Sequence, residues 1–226
     1  MSIFDSMETE CPACGAACEG DLVASVNADR RPDLRDDILA GTFQAFECPG
    51  CGTRVRLAPS FVYMDVGRGQ WLMARSIDQA IDWADHERTA RMVFDQAYGA
   101  GAPAVARDIG AGLVPRLTFG WPAVREKLLC RAEDIDDTTL EVLKAAVMRS
   151  VSGAPVSDAN ELRLDAVDGD DLVLRWMDPA TETPSAAVRV PRAALRDIDD
   201  ADAAWAPLRH DLSQGMFVDL LRLLTG

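Results

Sequence analysis

Four cysteines lie in two short motifs of the same form. The first occupies residues 11–15 and reads Cys-Pro-Ala-Cys-Gly; the second occupies residues 48–52 and reads Cys-Pro-Gly-Cys-Gly. Two residues between the cysteines let both sulfurs of a turn face one ion, while proline presets the turn and glycine tolerates a positive φ at its end. Two such turns supply four thiolates in a tetrahedron, the usual coordination of structural zinc. The sequence therefore predicts one zinc ion bound by Cys11, Cys14, Cys48 and Cys51.

Two alternatives stay open for these four cysteines. They can form disulfides, which a reducing cytoplasm disfavours, and the same four-sulfur site also accepts iron. A site filled by four protein ligands has no open position for water, which catalytic zinc requires. We therefore expect the metal to stabilise a small module, a contribution on the order of 10 kcal/mol in isolated zinc modules.

The two remaining cysteines are predicted to be structural. Cys18 follows Cys14 by four residues and can approach the ion, but a full tetrahedron has no place for a fifth sulfur. We expect Cys18 to be a small, partly buried residue. Cys130 follows two leucines in a predicted helix, and we expect it to lie in the core.

Outside the cysteines, Tyr63 and Asp65 are the strongest candidates for chemistry. They lie two residues apart in a predicted strand and share one face of it, which would permit a carboxylate-based active site. The alternative is structural: Tyr63 packs and hydrogen-bonds while Asp65 opens a turn. Glu126 and Lys127 are neighbours in a predicted helix and do not face each other, so we interpret them as surface charge or as members of separate salt bridges.

Several other polar residues have structural explanations. Asp136 and Asp137 suit the start of a helix as caps, and Thr138 with Glu141 has the spacing of a capping box. The chain has two histidines, and we expect the first, His86, to be solvated. General acid–base catalysis would therefore have to use carboxylates or lysines.

Composition narrows the classes of function. The chain has 226 residues, 48% of them hydrophobic, and a net charge of −14, which is typical of a globular protein. Nucleic-acid binding is unlikely because an acidic surface opposes contact with phosphates. No apolar run reaches the ~20 residues of a membrane span, and the first residues do not resemble a secretory signal. We expect no membrane association and a cytoplasmic location.

The pattern of apolar residues predicts an α+β fold in three segments. Residues 8–75 form a zinc-ribbon-like module that extends into an antiparallel sheet. Residues 76–153 form a helical middle, and residues 154–226 form β-hairpin strands followed by a terminal helix. Whether the last segment is a separate domain stays open, and we favour one continuous body.

Three local predictions concern the middle and the end of the chain. Residues 79–98 read as a helix, and the glycine-rich tract that follows, to about residue 112, reads as flexible. Asp168-Gly169-Asp170 marks a hairpin between two strands of alternating pattern. Residues 205–224 read as mostly helical, with a kink or break at Gly215.

The motifs together resemble the CpXC domain family. The resemblance rests on Cys11-Pro12-Ala13-Cys14, Ser25-Val26-Asn27-Ala28, Pro32-Asp33-Leu34, Cys48-Pro49-Gly50-Cys51 and Tyr63-Met64-Asp65. A second block extends it, with Arg125-Glu126-Lys127-Leu128, Asp136-Asp137 and Leu140-Glu141-Val142-Leu143-Lys144. The resemblance implies a zinc-ribbon-like bacterial or archaeal domain, supports the metal site and implies no reaction.

These observations favour a non-catalytic, zinc-stabilised adaptor protein. Its expected partner is another protein or a second copy of the same chain. The apolar stretch 216–224 is a candidate docking or dimer helix, and the alternative is that it belongs to the core. The competing hypothesis is an enzyme with a site near Tyr63 and Asp65, in which the metal is purely structural.

Overall fold

The computed structural model describes residues 3–150 and 160–224 and has the predicted α+β fold. The strands are β1 (Ile3–Glu10), β2 (Ala17–Asn27), β3 (Ala45–Glu47), β4 (Arg54–Arg56), β5 (Phe61–Asp65), β6 (Gln70–Arg75), β7 (Val114–Phe119), β8 (Glu161–Asp168), β9 (Asp171–Met177) and β10 (Pro184–Pro191). The helices are α1 (Pro32–Ala40), α2 (Trp83–Tyr98), α3 (Ala104–Ala111), α4 (Gly120–Ala132), α5 (Asp137–Ser150), α6 (Ala194–Asp200), α7 (Asp202–Leu212) and α8 (Leu221–Leu224). No helix among the described residues has the length and apolar character needed to cross a membrane.

The largest sheet has five strands in the order β1-β2-β5-β6-β7. Its β1/β2 and β5/β6 pairs are antiparallel, whereas β2/β5 and β6/β7 are parallel. The sheet is therefore mixed rather than fully antiparallel. A parallel pair needs a long crossover, and α1 and the α2–α3 pair provide the two crossovers.

Two smaller sheets complete the fold. β3 and β4 form a short antiparallel hairpin. Strands β8, β9 and β10 form an antiparallel meander, and the predicted turn at Asp168-Gly169-Asp170 connects the first two. Gly169 has a φ of 61°, a conformation that glycine adopts without strain.

Apolar side chains pack into separate clusters around these sheets. One cluster joins the five-stranded sheet to α1 and α4, and the rings of Phe43, Phe61 and Trp121 pack against one another within it. A second lies on the opposite face of that sheet, under α2. A third joins α5, α6 and α7 to the three-stranded sheet. Helix α4 thus lies between the first and third clusters.

The glycine-rich tract is more ordered than the sequence predicts. It contains α3, and the predicted helix at 79–98 begins with a turn of 3₁₀-helix before α2. A Cβ added at Gly110 would collide with the side chain of Tyr98. Glycine at this position therefore permits close packing of α3 against α2 rather than mobility.

The predicted helix over residues 205–224 is interrupted around Gly215, as predicted, but its second half is helical only in α8. α7 ends at Leu212, and residues 213–220 run irregularly before α8, with residues 216–219 buried. The amides of Met216 and Phe217 donate to Oε1 of Glu87, and the Met216 carbonyl accepts from the Leu117 amide at 2.9 Å. These partners replace the hydrogen bonds of a helix. Gly215 is required because a Cβ there would collide with the Glu87 carboxylate.

Candidate metal centre and buried ionic network

The two cysteine motifs form matching turns, here called the first knuckle (residues 11–15) and the second knuckle (residues 48–52). The first knuckle lies at the tip of the β1–β2 hairpin and the second at the tip of β3–β4. The Cys11 amide donates to the Ala16 carbonyl at 2.9 Å, and the Cys48 amide donates to that of Thr53 at 2.8 Å. The final glycine of each knuckle has a φ of 71°, as the sequence predicts.

The knuckles bring four sulfurs together. The Sγ atoms of Cys11 and Cys51 are 3.7 Å apart, and those of Cys14 and Cys48 are 3.6 Å apart. All four sulfurs lie within 4.8 Å of one another. Zinc–sulfur bonds of about 2.3 Å place tetrahedral ligands about 3.8 Å apart, whereas a disulfide needs about 2.05 Å. The cysteines are free thiols, and their spacing fits a metal ion rather than disulfides.

The thiols of the cluster differ in pKa because they make different hydrogen bonds. Burial opposes ionisation of Cys48, but the amides of Gly50 and Cys51 outweigh it and lower its pKa to about 6. The Ala16 amide lowers the pKa of Cys14, but the neighbouring sulfurs of Cys51 and Cys48 raise it to about 12. Four adjacent thiolates repel one another, so full ionisation of the cluster requires a bound cation.

Close packing fixes the knuckles against each other and against the fold. A Cβ added at Gly50 would lie 3.0 Å from the side chain of Ala16, so the knuckles touch there. The indole of Trp121 on α4 donates to the Leu57 carbonyl at 2.9 Å, just after β4. The Arg56 guanidinium lies 4.0 Å above the same indole. The β3–β4 hairpin is thereby fixed to the main core.

The other two cysteines are not among the four clustered sulfurs. Cys18 is 1% exposed, in a small cluster with Cys11, Cys48 and Val55, so it is more buried than predicted. Its thiol donates to the Ala16 carbonyl at 3.5 Å, and burial raises its pKa to about 11. Cys130 lies in the core, as predicted.

Glu126 and Lys127 form separate salt bridges, as one of the two interpretations predicts, but the interpretation as surface charge is wrong. Their exposed fractions are 0% and 2%. Glu126 accepts from the ammonium of Lys144 at 3.0 Å and from the guanidinium of Arg163 at 3.0 Å, and Arg163 also binds Asp219. These residues come from α4, α5, β8 and the segment before α8, so this buried ionic network joins four parts of the chain.

Lys127 extends the network towards the start of α5. Its ammonium donates to the Val218 carbonyl at 2.6 Å and lies 3.0 Å from Asp137. Asp137 also accepts two hydrogen bonds from Arg116, so its prediction as a helix cap is wrong. The neighbouring Asp136 does cap the helix, since it accepts from the Thr139 amide at 2.7 Å.

The predicted capping box with Thr138 is also wrong, because Glu141 belongs to the network. It is 0% exposed and lies 2.7 Å from the Lys144 ammonium. Burial, followed by the charges of Asp219 and Glu126, raises the pKa of Glu141 to about 7, although Lys144 opposes the shift. Burial disfavours the charge of Asp219, but Arg163 and Lys144 outweigh it and lower its pKa to about 2.

The network is not an open cation site, although three carboxylates approach one another. Glu126, Glu141 and Asp219 place oxygens within 4.8 Å of each other. The cationic groups of Lys144 and Arg163 already lie among them. Sequence reasoning did not identify this network. The available signal was the position of Glu126 and Lys144 among the apolar residues of their helices.

Tyr63 and Asp65 follow the structural interpretation. Tyr63 is 0% exposed and Asp65 is 2% exposed. The Tyr63 hydroxyl donates to Asp65 at 3.1 Å, and Arg35 donates to the same carboxylate at 3.2 Å. The Arg68 amide donates to Asp65 in the turn before β6. The prediction for His86 is wrong, because its ring is half-buried and contacts Phe119 edge-on.

The fold and the site define an α+β protein with a cluster of four cysteines, at the tips of two hairpins, whose geometry could hold a metal ion. The family model described as CpXC protein matches residues 9–144. That match covers more than half of the chain, including both knuckles, so the protein belongs to the CpXC family. Comparisons with curated proteins and with solved structures gave no match.

Proposed function

We propose that the four clustered cysteines bind one zinc ion and that the protein is a non-catalytic interaction module stabilised by that ion. The observation that carries the metal assignment is the set of four sulfurs at the spacing of a tetrahedral edge. Four thiolates are the donor set of a closed structural zinc site. Free thiols in this arrangement are consistent with a reducing compartment such as the cytoplasm.

The position of the cluster supports a structural role for the ion. Each knuckle is the tip of a two-stranded hairpin, and such hairpins are marginally stable alone. Zinc bound by all four cysteines would cross-link the β1–β2 hairpin to β3–β4. It would thereby hold the surface between the two hairpins in one shape.

The buried carboxylates are paired with groups of the same chain, which supports a binding role rather than a catalytic one. Glu126 and Asp219 contact buried cations, and Asp65 is held by Tyr63 and Arg35. These groups are therefore engaged in contacts within the fold. The net charge of −14 leaves a surface suited to partners of opposite charge.

The experiment compares Cys48→Ala with Cys18→Ala, because both cysteines are buried in the same small cluster. The tagged chains are cross-linked in cells and purified, and their zinc content is measured. We expect wild type and Cys18→Ala to retain one zinc and one recurrent protein partner or second copy, and Cys48→Ala to lose both. Wild type without zinc would overturn the metal assignment. Wild type with zinc but with no cross-linked protein would overturn the interaction role.

A further inference from the structure

Strand β2 has an open edge beside the metal centre. It pairs with β1 over most of its length but with β5 only at Ser25–Asn27. Among the described residues, Glu19 to Val23 therefore has a strand neighbour on one side only. Open strand edges are templates for pairing with another chain, and proteins usually cover them.

The register shows which backbone groups face this edge. The bonded pair Cys11 and Ala16 sets the alternation along the β1–β2 hairpin. In an antiparallel pair, every second residue directs its amide and carbonyl away from the partner strand. Those residues are Glu19, Asp21 and Val23. The Val23 amide follows this pattern, because it donates to Oε1 of Gln44 at 2.7 Å.

The side-chain amide of Gln44 places a buried hydrogen-bond donor beside the open edge of β2. The residue is 8% exposed, and its Nε2 has no hydrogen-bond partner within the part of the chain that the structure describes. Exchanging the two amide atoms does not remove the problem, because Oε1 is needed by the Val23 amide. A buried amide donor without a partner destabilises the fold. Gln44 lines the cleft in front of this edge, so a peptide bound there would lie beside this donor.

The cleft in front of the edge is acidic on one side and apolar on the other. Its volume is about 490 Å³, and it runs between β2 and the segment that connects α1 to β3. Exposed carboxylates of Glu19, Asp21 and Asp37 line it, and the aromatic rings of Phe43 and Phe46 form an apolar wall. Glu19 and Asp21 lie on the same face of the strand.

We propose that this cleft binds an extended peptide segment of a partner protein, which adds as a strand to the edge of β2. The segment carries lysine or arginine at alternate positions, facing Glu19 and Asp21. Main-chain hydrogen bonds supply affinity in this mode of recognition, and alternate side chains supply specificity. A second copy of β2 is disfavoured as the occupant because its own carboxylates would face these two. The inference rests on the proposed interaction role and specifies the partner.

The test uses three synthetic peptides on the intact, zinc-loaded chain. The probe is acetylated and amidated Val-Lys-Val-Lys-Val-Lys, labelled for fluorescence anisotropy. A charge control replaces lysine with glutamate, and a backbone control carries N-methyl groups that remove the pairing amides. The protein variant is Glu19→Lys/Asp21→Lys, and its matched control is Asp78→Lys/Asp108→Lys, which changes the net charge equally at exposed helical positions.

We expect the lysine probe to bind wild type and the matched control equally, and the Glu19→Lys/Asp21→Lys variant at least tenfold more weakly. Both control peptides should also bind wild type at least tenfold more weakly, and the probe should slow hydrogen exchange at the Glu19 and Asp21 amides. Equal binding to both variants, unchanged exchange in wild type, or dimerisation through this edge would overturn the inference. If the cellular partner still cross-links to Glu19→Lys/Asp21→Lys, the edge is not its site, but the interaction role stands.

Discussion

The metal centre and the buried ionic network are two ways to hold several charged groups inside one small protein. The metal centre uses two copies of one local turn, so each half is complete within five residues. The network takes single residues from α4, α5, β8 and the segment before α8. A site built from repeated local motifs can therefore be identified in a sequence, whereas a site built from single charges cannot.

The two regions also differ in how they contribute to stability. Under the proposed function, metal binding would add a large favourable free energy because the ion would attract all four thiolates. The network must first offset the cost of removing each charge from water, so its net contribution is small while it is intact. Loss of one member is nevertheless costly because it leaves an unpaired buried charge.

The largest expected effect comes from removing one sulfur ligand. Cys48→Ala should abolish zinc binding and unfold both knuckles, with a loss on the order of 10 kcal/mol from the module. Cys18→Ala removes an equally buried thiol from the same cluster and should retain the metal. Zinc content and thermal unfolding measure both effects. Equal zinc loss in the two variants would show that Cys18 is also a ligand.

A smaller effect is expected from the network. Arg163→Met leaves Glu126 and Asp219 without their shared guanidinium and should reduce the free energy of unfolding by about 3–5 kcal/mol. Arg189→Met breaks an exposed pair with Asp168 on the same sheet and should change stability far less, because solvent screens an exposed ion pair. Urea unfolding measures the difference. Similar costs for both arginines would refute a tightly coupled network.

The smallest effect depends on pH. The pKa of Glu141 rises from 4.5 to about 7 on folding, so the folded state binds more protons between these values. The free energy of unfolding should therefore decrease as the pH rises from 4.5 to 7, by at most about 1.4 kcal/mol per pH unit. Glu141→Gln lacks this ionisation, so its stability relative to wild type should increase over the same range. A constant difference between the two proteins would contradict the raised pKa.

Much of the fold could be predicted because its signals are local. The α+β class, both knuckles and the hairpin at Gly169 follow from short motifs and alternating patterns. The burial of Glu126 could not be predicted, because its partners Lys144 and Arg163 come from other elements. Neighbouring charges in a helix give no sign of the cations that pair with them across the core.

The roles of two glycines also could not be predicted from the sequence. Gly110 and Gly215 both suggest breaks in regular structure, yet each is needed for a close contact, with Tyr98 and with Glu87 respectively. The sequence shows that a side chain is missing but not which neighbour occupies the space. For this reason the order of α3 and the irregular path of residues 213–220 depend on tertiary packing.

X-ray absorption at the zinc edge, on the purified full-length chain, tests the central claim most directly. The account predicts one zinc ion per chain with four sulfur neighbours at about 2.3 Å and no lighter ligand. A shell that contains nitrogen or oxygen at about 2.0–2.1 Å, or protein that folds without any bound metal, would contradict it.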